Sequence, residues 1–391
     1  MAASPASWTR RRFLRNSAAL LGGLGAMPTL LAACGGGEAA SSPAARAEGD
    51  AAANALVVDS WPIYIDDDPE EGTVARFRAA SGIDLTWNED INDNNEYFAK
   101  IQPLLSQGKA ISADIITPTY WMVPRLVQLD WLEPLPLDAI PNRVNLLPSL
   151  KNPSWDPSGE YSLPWQTGIT GIAYNRAVTG RALGSMADLF DPALKGKVGV
   201  LTEMRDTVGL LMLADGEDPA NPTFERAAGA FERLQEAKES GQIRRFTGND
   251  YIDDLVAGNF GACLAWSGDI AQLALDNPDI GFVVPEEGGM RFADCMVVPK
   301  GAANVANAAR FMDFVYNPDN AARITAAVQY LSPVDGVADA LRRLGGEAAA
   351  LAESTVLFPD AATTSRLRTF GALSEEEEAR FDEAFSAIAG A

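Results

Sequence analysis

Carboxylates and aromatic rings are the side chains with chemistry to offer in this chain, because histidine is missing altogether. Without an imidazole there is no Ser-His-Asp or Cys-His catalysis, no histidine metal ligand, and no ordinary switch near neutral pH. Glu203 and Asp206 stand three positions apart in Leu201-Thr202-Glu203-Met204-Arg205-Asp206. Such a pair could serve as acid and base, as in a glycosidase, or Asp206 could pair locally with Arg205. Asp294 lies beside apolar residues in a strand-like run, where a lone acid needs a partner. Asp269, after Ser267-Gly268, could hold a cation or cap a helix. Trp61 and Trp266 could line a site or fill a core. No GxSxG, phosphate loop, metal-ligand spacing or glycine-rich dinucleotide turn accompanies these residues. The expectation is a binding protein rather than an enzyme, with no cofactor and no metal.

The elements that must position these residues alternate. Strand candidates are Leu56–Val58, Ile83–Trp87, Asp114–Thr117, Gly171–Tyr174, Val198–Leu201, Ala262–Trp266, Ile280–Val284 and Met296–Val298. Between them, Thr223 to Lys238 places Phe224, Ala227, Phe231, Leu234 and Ala237 on one helical face, and Ala302 to Tyr316 repeats the pattern. Asn317-Pro318 ends that helix and can cap the next. Ser374-Glu375-Glu376-Glu377 is a capping box for a last helix, which accounts for the run of glutamates. Strands alternating with helices predict an α/β protein with mostly parallel sheets.

Of the 391 residues, 47% are hydrophobic, enough for two cores. The formal net charge of −22 disfavours nucleic acid and anionic membranes and attracts cations, besides keeping the protein soluble. The N-terminus has its own order. Arg10-Arg11-Arg12-Phe13-Leu14 is basic, Ala18 to Leu31 is apolar but broken by glycines and Pro28, and Leu31-Ala32-Ala33-Cys34 supplies small residues before a cysteine. This order is that of an export signal over residues 1–33. It resembles a twin-arginine signal ending in a bacterial lipobox, which implies a lipid anchor on Cys34 and a flexible tether over 34–54. The run is too short and interrupted for a membrane span. The other two cysteines, Cys263 and Cys295, either pair or stay as buried thiols.

Local strings, in order, resemble the spermidine/putrescine-binding proteins of bacterial polyamine importers. They are Trp61-Pro62-Ile63-Tyr64 after the first strand, Asn95-Glu96 opening a helix, Asp114-Ile115-Ile116-Thr117-Pro118-Thr119-Tyr120, Leu163-Pro164-Trp165, Glu203-Met204-Arg205-Asp206, Trp266-Ser267-Gly268-Asp269 and Pro285-Glu286-Glu287-Gly288-Gly289 with Phe292-Ala293-Asp294. The resemblance implies a two-lobed periplasmic-binding-protein fold of type II, with the ligand in a cleft between lobes joined by crossing strands. Lobe 1 would comprise 55–165 plus 267–318, and lobe 2 would comprise 166–266 plus 319–391. It further implies an exported, anchored monomer that captures a small cationic ligand, a polyamine, and delivers it to an ABC permease, or a binder of another cationic or zwitterionic solute.

Carried over residue by residue, the resemblance makes Glu203, Asp206, Asp269 and Asp294 the anions of the site. Trp61, Tyr64, Trp266 and Tyr330 become its aromatic box, and Thr119 adds a hydroxyl. Trp121 and Trp165 lie near the expected cleft. Pro62 and Ile63 depart from the more polar pair common in that family, and Arg291 places a cation close to a cation site.

Overall fold

The computed structural model describes residues 54–66 and 68–390, so the expected export signal, Cys34 and almost all of the expected tether lie outside the described residues. In chain order the strands are β1 (Ala55–Asp59), β2 (Asp84–Asn88), β3 (Ile115–Ile116), β4 (Leu132–Glu133), β5 (Leu163–Asn175), β6 (Val198–Leu201), β7 (Ile243–Thr247), β8 (Ala262–Trp266), β9 (Ile280–Val283), β10 (Gly289–Met296), β11 (Val298–Pro299) and β12 (Leu367–Arg368). No helix among the described residues is long and apolar enough to cross a membrane.

Two sheets carry the fold. The first has the order β2-β1-β3 and is parallel. The second runs β12-β10-β5-β8-β6-β7, with β9 also on β5, and is mixed. Its β6 pairs parallel with β7 and β8, but β5 is antiparallel to β8, β9 and β10. The expectation of mostly parallel sheets therefore holds for the first sheet alone. The cause is the crossing. Leu163 and Trp165 of β5 lie in one apolar core and Ile172 to Tyr174 in the other, while β10 returns with Met290 in the second core and Phe292 to Met296 in the first. Two strands that cross in opposite senses must pair antiparallel.

The cores also correct the expected lobe bounds. The first core draws on 56–165 and 292–352, and the second on 172–290 and 370–388. Ile270 of the Ser267–Asp276 helix and Ile280 belong to the second core rather than the first, because that helix lies against β5, β8 and β9. The Pro318–Val328 helix belongs to the first. Its cap, Asn317, directly follows the C-cap of the Val305–Val315 helix, so the chain has no length in which to leave that core. The Asn317 side chain accepts from Asp319 N and Asn320 N as expected, and of the expected capping box the Ser374 half is formed, its side chain accepting from Glu377 N, while the Glu377 carboxylate instead accepts from Phe224 N and pairs with Arg380.

Cys263 and Cys295 are free and buried. Cys263 lies opposite Ala173 near one end of β5 and Cys295 opposite Pro164 near the other, so the length of the strand keeps them apart.

Where the crossing strands pair, Phe292 of β10 sits directly opposite Gly168 of β5. A Cβ at Gly168 would overlap the Phe292 ring, so the glycine is the space that the ring occupies. Gly168→Ala is expected to overpack this junction and cost about 1–3 kcal/mol, read as a lower urea midpoint at unchanged slope. An unchanged midpoint would show that Phe292 has somewhere else to go.

Candidate functional site

Strand ends deliver the side chains to one cleft. The first sheet is parallel, so β1 and β3 both release their following turns at the same edge. After β1 the turn carries Trp61, Pro62 and Tyr64, with Ile63 in the left-handed region at φ 55°, an expensive conformation for a β-branched residue. The Ile63 N–H donates to Glu89 Oε1 at 3.2 Å and the Trp61 indole donates to the Thr117 carbonyl at 2.8 Å. After β3 comes Thr119, which bridges to Asp294. After β6 come Thr202 and Glu203, and Asp206 lies in the first turn of the Met204–Ala214 helix. β8 ends on Trp266, and the Ser267–Asp276 helix follows at once. A register shift between Asp294 and Cys295 skips Trp165 on the partner strand, so the bulge lies in β5 opposite this part of β10.

Eight of the nine expected residues line this one cleft: Trp61, Tyr64, Thr119, Glu203, Asp206, Trp266, Asp294 and Tyr330. Asp294 is buried, with Oδ2 accepting from Tyr64 OH at 2.5 Å and Oδ1 from Thr119 Oγ1 at 2.7 Å. Asp206 is buried and accepts from the Trp266 indole at 2.9 Å. Its expected alternative, a local pair with Arg205, is not formed, since Arg205 turns to Glu378 at 2.9 Å. Glu203 is half-buried and accepts from Asn94 Nδ2 at 3.1 Å. Asp269 does not line the cleft but stands behind it. Its Oδ1 accepts from Tyr330 OH at 2.6 Å, and its Oδ2 from Tyr251 OH at 2.6 Å and Asn249 Nδ2 at 2.9 Å. Through them it fixes Tyr330 and Asn249, both of which face the cleft.

The aromatic rings form a connected wall. Trp61 meets Trp266 edge-on at 6.3 Å, and Tyr64 meets Tyr330 edge-on at 4.7 Å. Phe292 joins both sets, 6.4 Å from Trp266 and from Tyr330.

Loss of water raises Asp294, Asp206, Asp269 and Glu203. Burial first, offset by the hydroxyls of Tyr64 and Thr119, pushes Asp294 up to about 7. Burial likewise raises Asp206 and Asp269 to about 6 against their donors. Glu203 moves to about 8, through burial and then the neighbouring charge of Asp206. The same burial holds the phenols of Tyr64, Tyr251 and Tyr330 far above their ordinary value, so they act as donors.

Sequence reasoning left several lining residues out. Phe292 shares a face of β10 with Asp294 by the two-residue period of a strand. By the same period Arg291 falls on the other face, opposite Ile169, and does not line the cleft. The cation at the cleft is instead Arg205. Trp121 lines it too, whereas Trp165 is buried beside Trp87 in the first core. Asn94, which bonds both Thr119 and Glu203, gave no signal beyond its place at a helix start.

The two sides of the cleft touch. Thr202 Oγ1 donates to Asp93 Oδ2 at 2.9 Å, Gln128 Nε2 to Glu375 Oε1 at 2.8 Å, and the Arg205 guanidinium carbon stands 3.8 Å from the Trp121 ring centroid.

The profile of a family described as bacterial extracellular solute-binding protein matches residues 72–352. The spermidine/putrescine-binding periplasmic protein 1 of Haemophilus influenzae is 25% identical over 317 residues, covering 81% of this chain and 84% of the relative. A putrescine/cadaverine-binding protein of Pseudomonas aeruginosa is 28% identical over 352 residues, covering 86% and 94%. The crystal structure of a spermidine/putrescine ABC transporter substrate-binding protein from Streptococcus pneumoniae superposes with a TM-score of 0.69 at 24% identity, over 86% of this chain and 98% of that one.

An aspartate whose folded pKa lies above its unfolded value of about 3.9 binds its proton more tightly when folded. It contributes stability below that value and loses it as pH rises through the folded value. For Asp206 and Asp269 that value is about 6, and for Asp294 about 7. The urea midpoint of the ligand-free protein is therefore expected to fall between pH 4 and pH 8, with a shallower fall in Asp294→Asn. A midpoint that rises over this window would contradict the arrangement of the three acids.

Proposed function

The chain belongs to the bacterial extracellular solute-binding family, and from that premise we propose that its cleft captures a linear amine, a polyamine, for an ABC importer. The observation that carries this reading is one cleft with aromatic walls and carboxylates placed along it. An ammonium group leaves water only if it meets an opposite charge and hydrogen-bond acceptors. Asp206, Glu203 and Asp294 offer both. The methylenes between ammonium groups need apolar surface, which Trp61, Trp266 and Phe292 supply, and ring faces add cation–π attraction. Relatives whose names state putrescine, spermidine or cadaverine binding support the same ligand class.

Binding rather than catalysis fits the state of the acids. Asp269 and Asp294 are each held by two or three donors, which suits fixed counter-charges better than proton-transfer groups. The ligand would be enclosed as the lobes meet through Thr202–Asp93, Asn94–Glu203 and Arg205–Trp121, in an open–closed equilibrium shifted by binding. The closed form would then dock on a permease. Export through the arginine-rich signal and anchoring at Cys34 would hold the protein at the outer face of the membrane.

Thermal unfolding with putrescine, cadaverine, spermidine, thiamine, amino acids and sugars tests the class, since a ligand of the folded state raises the melting temperature with its concentration over Kd. A large shift with an amine is expected, and a shift with a neutral or zwitterionic solute alone would discard the amine. Asp294→Ala and Asp269→Ala are each expected to weaken amine binding by at least ~2 kcal/mol, the first by removing a counter-charge and the second by releasing Tyr330 and Asn249. Unchanged affinity in both, by titration calorimetry, would remove these acids from the site.

A further inference from the structure

We propose that Asn94 is a positioning residue of the amine site: it ties Glu203 of one lobe to the Thr119–Asp294 pair of the other, and so slows the escape of a captured amine. This rests on the function proposed above and adds a residue that acts on the ligand through the acids at either side of it.

Asn94 opens the Asn94–Leu105 helix. An asparagine at a helix start commonly satisfies the orphan N–H groups of the first turn. Here Asp93 takes that role, its Oδ1 accepting from Asn95 N at 2.8 Å and from Glu96 N at 3.0 Å. The Asn94 amide turns to the cleft instead and is buried at 5% exposure.

Its neighbours leave the amide one orientation. A backbone N–H can only donate, so the atom that faces Thr119 N at 3.0 Å is Oδ1. Nδ2 then has one proton for Thr119 Oγ1 at 2.9 Å and one for Glu203 Oε2 at 3.1 Å. Thr119 Oγ1 in turn donates to Asp294 Oδ1 at 2.7 Å. A chain of donors thus starts at Asn94 and ends on a carboxylate in both directions. The two ends lie on different lobes. Thr119 and Asp294 adjoin Tyr120, Ala293 and Cys295 of the first core, whereas Glu203 precedes the Met204–Ala214 helix, whose Met204 and Val208 lie in the second.

The seam between the lobes is shaped for this contact. Asp93 Oδ2 accepts from Thr202 Oγ1 at 2.9 Å, so consecutive residues of one lobe meet consecutive residues of the other. Beside them Asn92 lies against Gly248, where a Cβ would stand 2.8 Å from the Asn92 carbonyl oxygen. A residue without a side chain admits that approach.

An amine enclosed by Glu203 and Asp294 leaves when the lobes part, and parting breaks the Asn94–Glu203 bond. That bond is exchanged for one with water, so its own contribution is modest. Deleting the amide costs more, because Glu203 is then enclosed without that donor. Asn94 carries no charge and does not steer an approaching cation, so its effect falls on dissociation.

The test uses whichever of putrescine, cadaverine and spermidine binds the whole wild-type protein most tightly, with stopped-flow tryptophan fluorescence for the rates and titration calorimetry for the affinity. Asn94→Ala is expected to release the amine at least about fivefold faster, with the association rate unchanged within about twofold. In Glu203→Met, where Asn94 has no carboxylate left to hold, the same change is expected to cost no more than about twofold in affinity. The urea midpoint of each ligand-free variant reports its folding. Asn94→Ser, which keeps a small polar side chain at the helix start but does not reach Glu203, replaces Asn94→Ala if the latter does not fold. Should Glu203→Met bind too weakly to titrate, the rates decide. An unchanged dissociation rate, or equal losses with and without Glu203, overturns the role of Asn94 alone. A wild type that binds none of the three amines overturns the proposed function and this inference together.

Discussion

Keeping carboxylates out of water without a resident counter-cation is the constraint on which this structure depends. A buried anion must be met by hydrogen-bond donors or it takes up a proton. Asp294 and Asp269 are met by five donors between them, from Tyr64, Thr119, Tyr330, Tyr251 and Asn249. Those donors come from both cores and from opposite ends of the chain. Satisfying two aspartates therefore fixes the turn after β1, the turn after β3, the start of the Tyr251–Val256 helix and the segment after the Pro318–Val328 helix relative to one another. Even so, burial leaves the acids with a raised affinity for protons.

The crossing strands make that convergence affordable in space. Phe292 can lie in the cleft only because Gly168 opposite it has no side chain, and Tyr330 can pack on the start of the Ser267–Asp276 helix only because Gly268 has none. Small residues thus stand where large rings must come close to backbone. The two-residue period of β10 turns Phe292 and Asp294 to the cleft, and the bulge that accompanies it lies in β5, where Trp165 is unmatched and packs in the first core.

Beside the ring contacts of Arg205 with Trp121 and Trp61 with Trp266, polar contacts cross the cleft: Thr202 with Asp93, Asn94 with Glu203, Gln128 with Glu375. Contacts of this kind exchange readily with water and stabilise a closed arrangement by little each. In the proposed open–closed equilibrium, a ligand bridging Glu203 and Asp294 would add to these contacts and shift it toward the closed form.

Read alone, the sequence excluded histidine chemistry and located most strands and the amphipathic helices, because strand ends and caps are local features that neighbouring residues express, and the resemblance of its short motifs to a known family supplied the eight residues that line one cleft. It did not reveal that Asp269 stands behind the cleft, that Arg205 rather than Arg291 faces it, or that Asn94 links Thr119 to Glu203. Those depend on the rotation of one element against another. The lobe bounds failed for the same reason: Ile270 and Ile324 both sit on the buried face of a helix, and the helix sequences do not say which sheet each will cover. The ladder that makes β10 the partner of β5 joins residues more than a hundred positions apart. Pairing at that range is decided by the packing of the whole chain, so the tertiary structure alone assigned it.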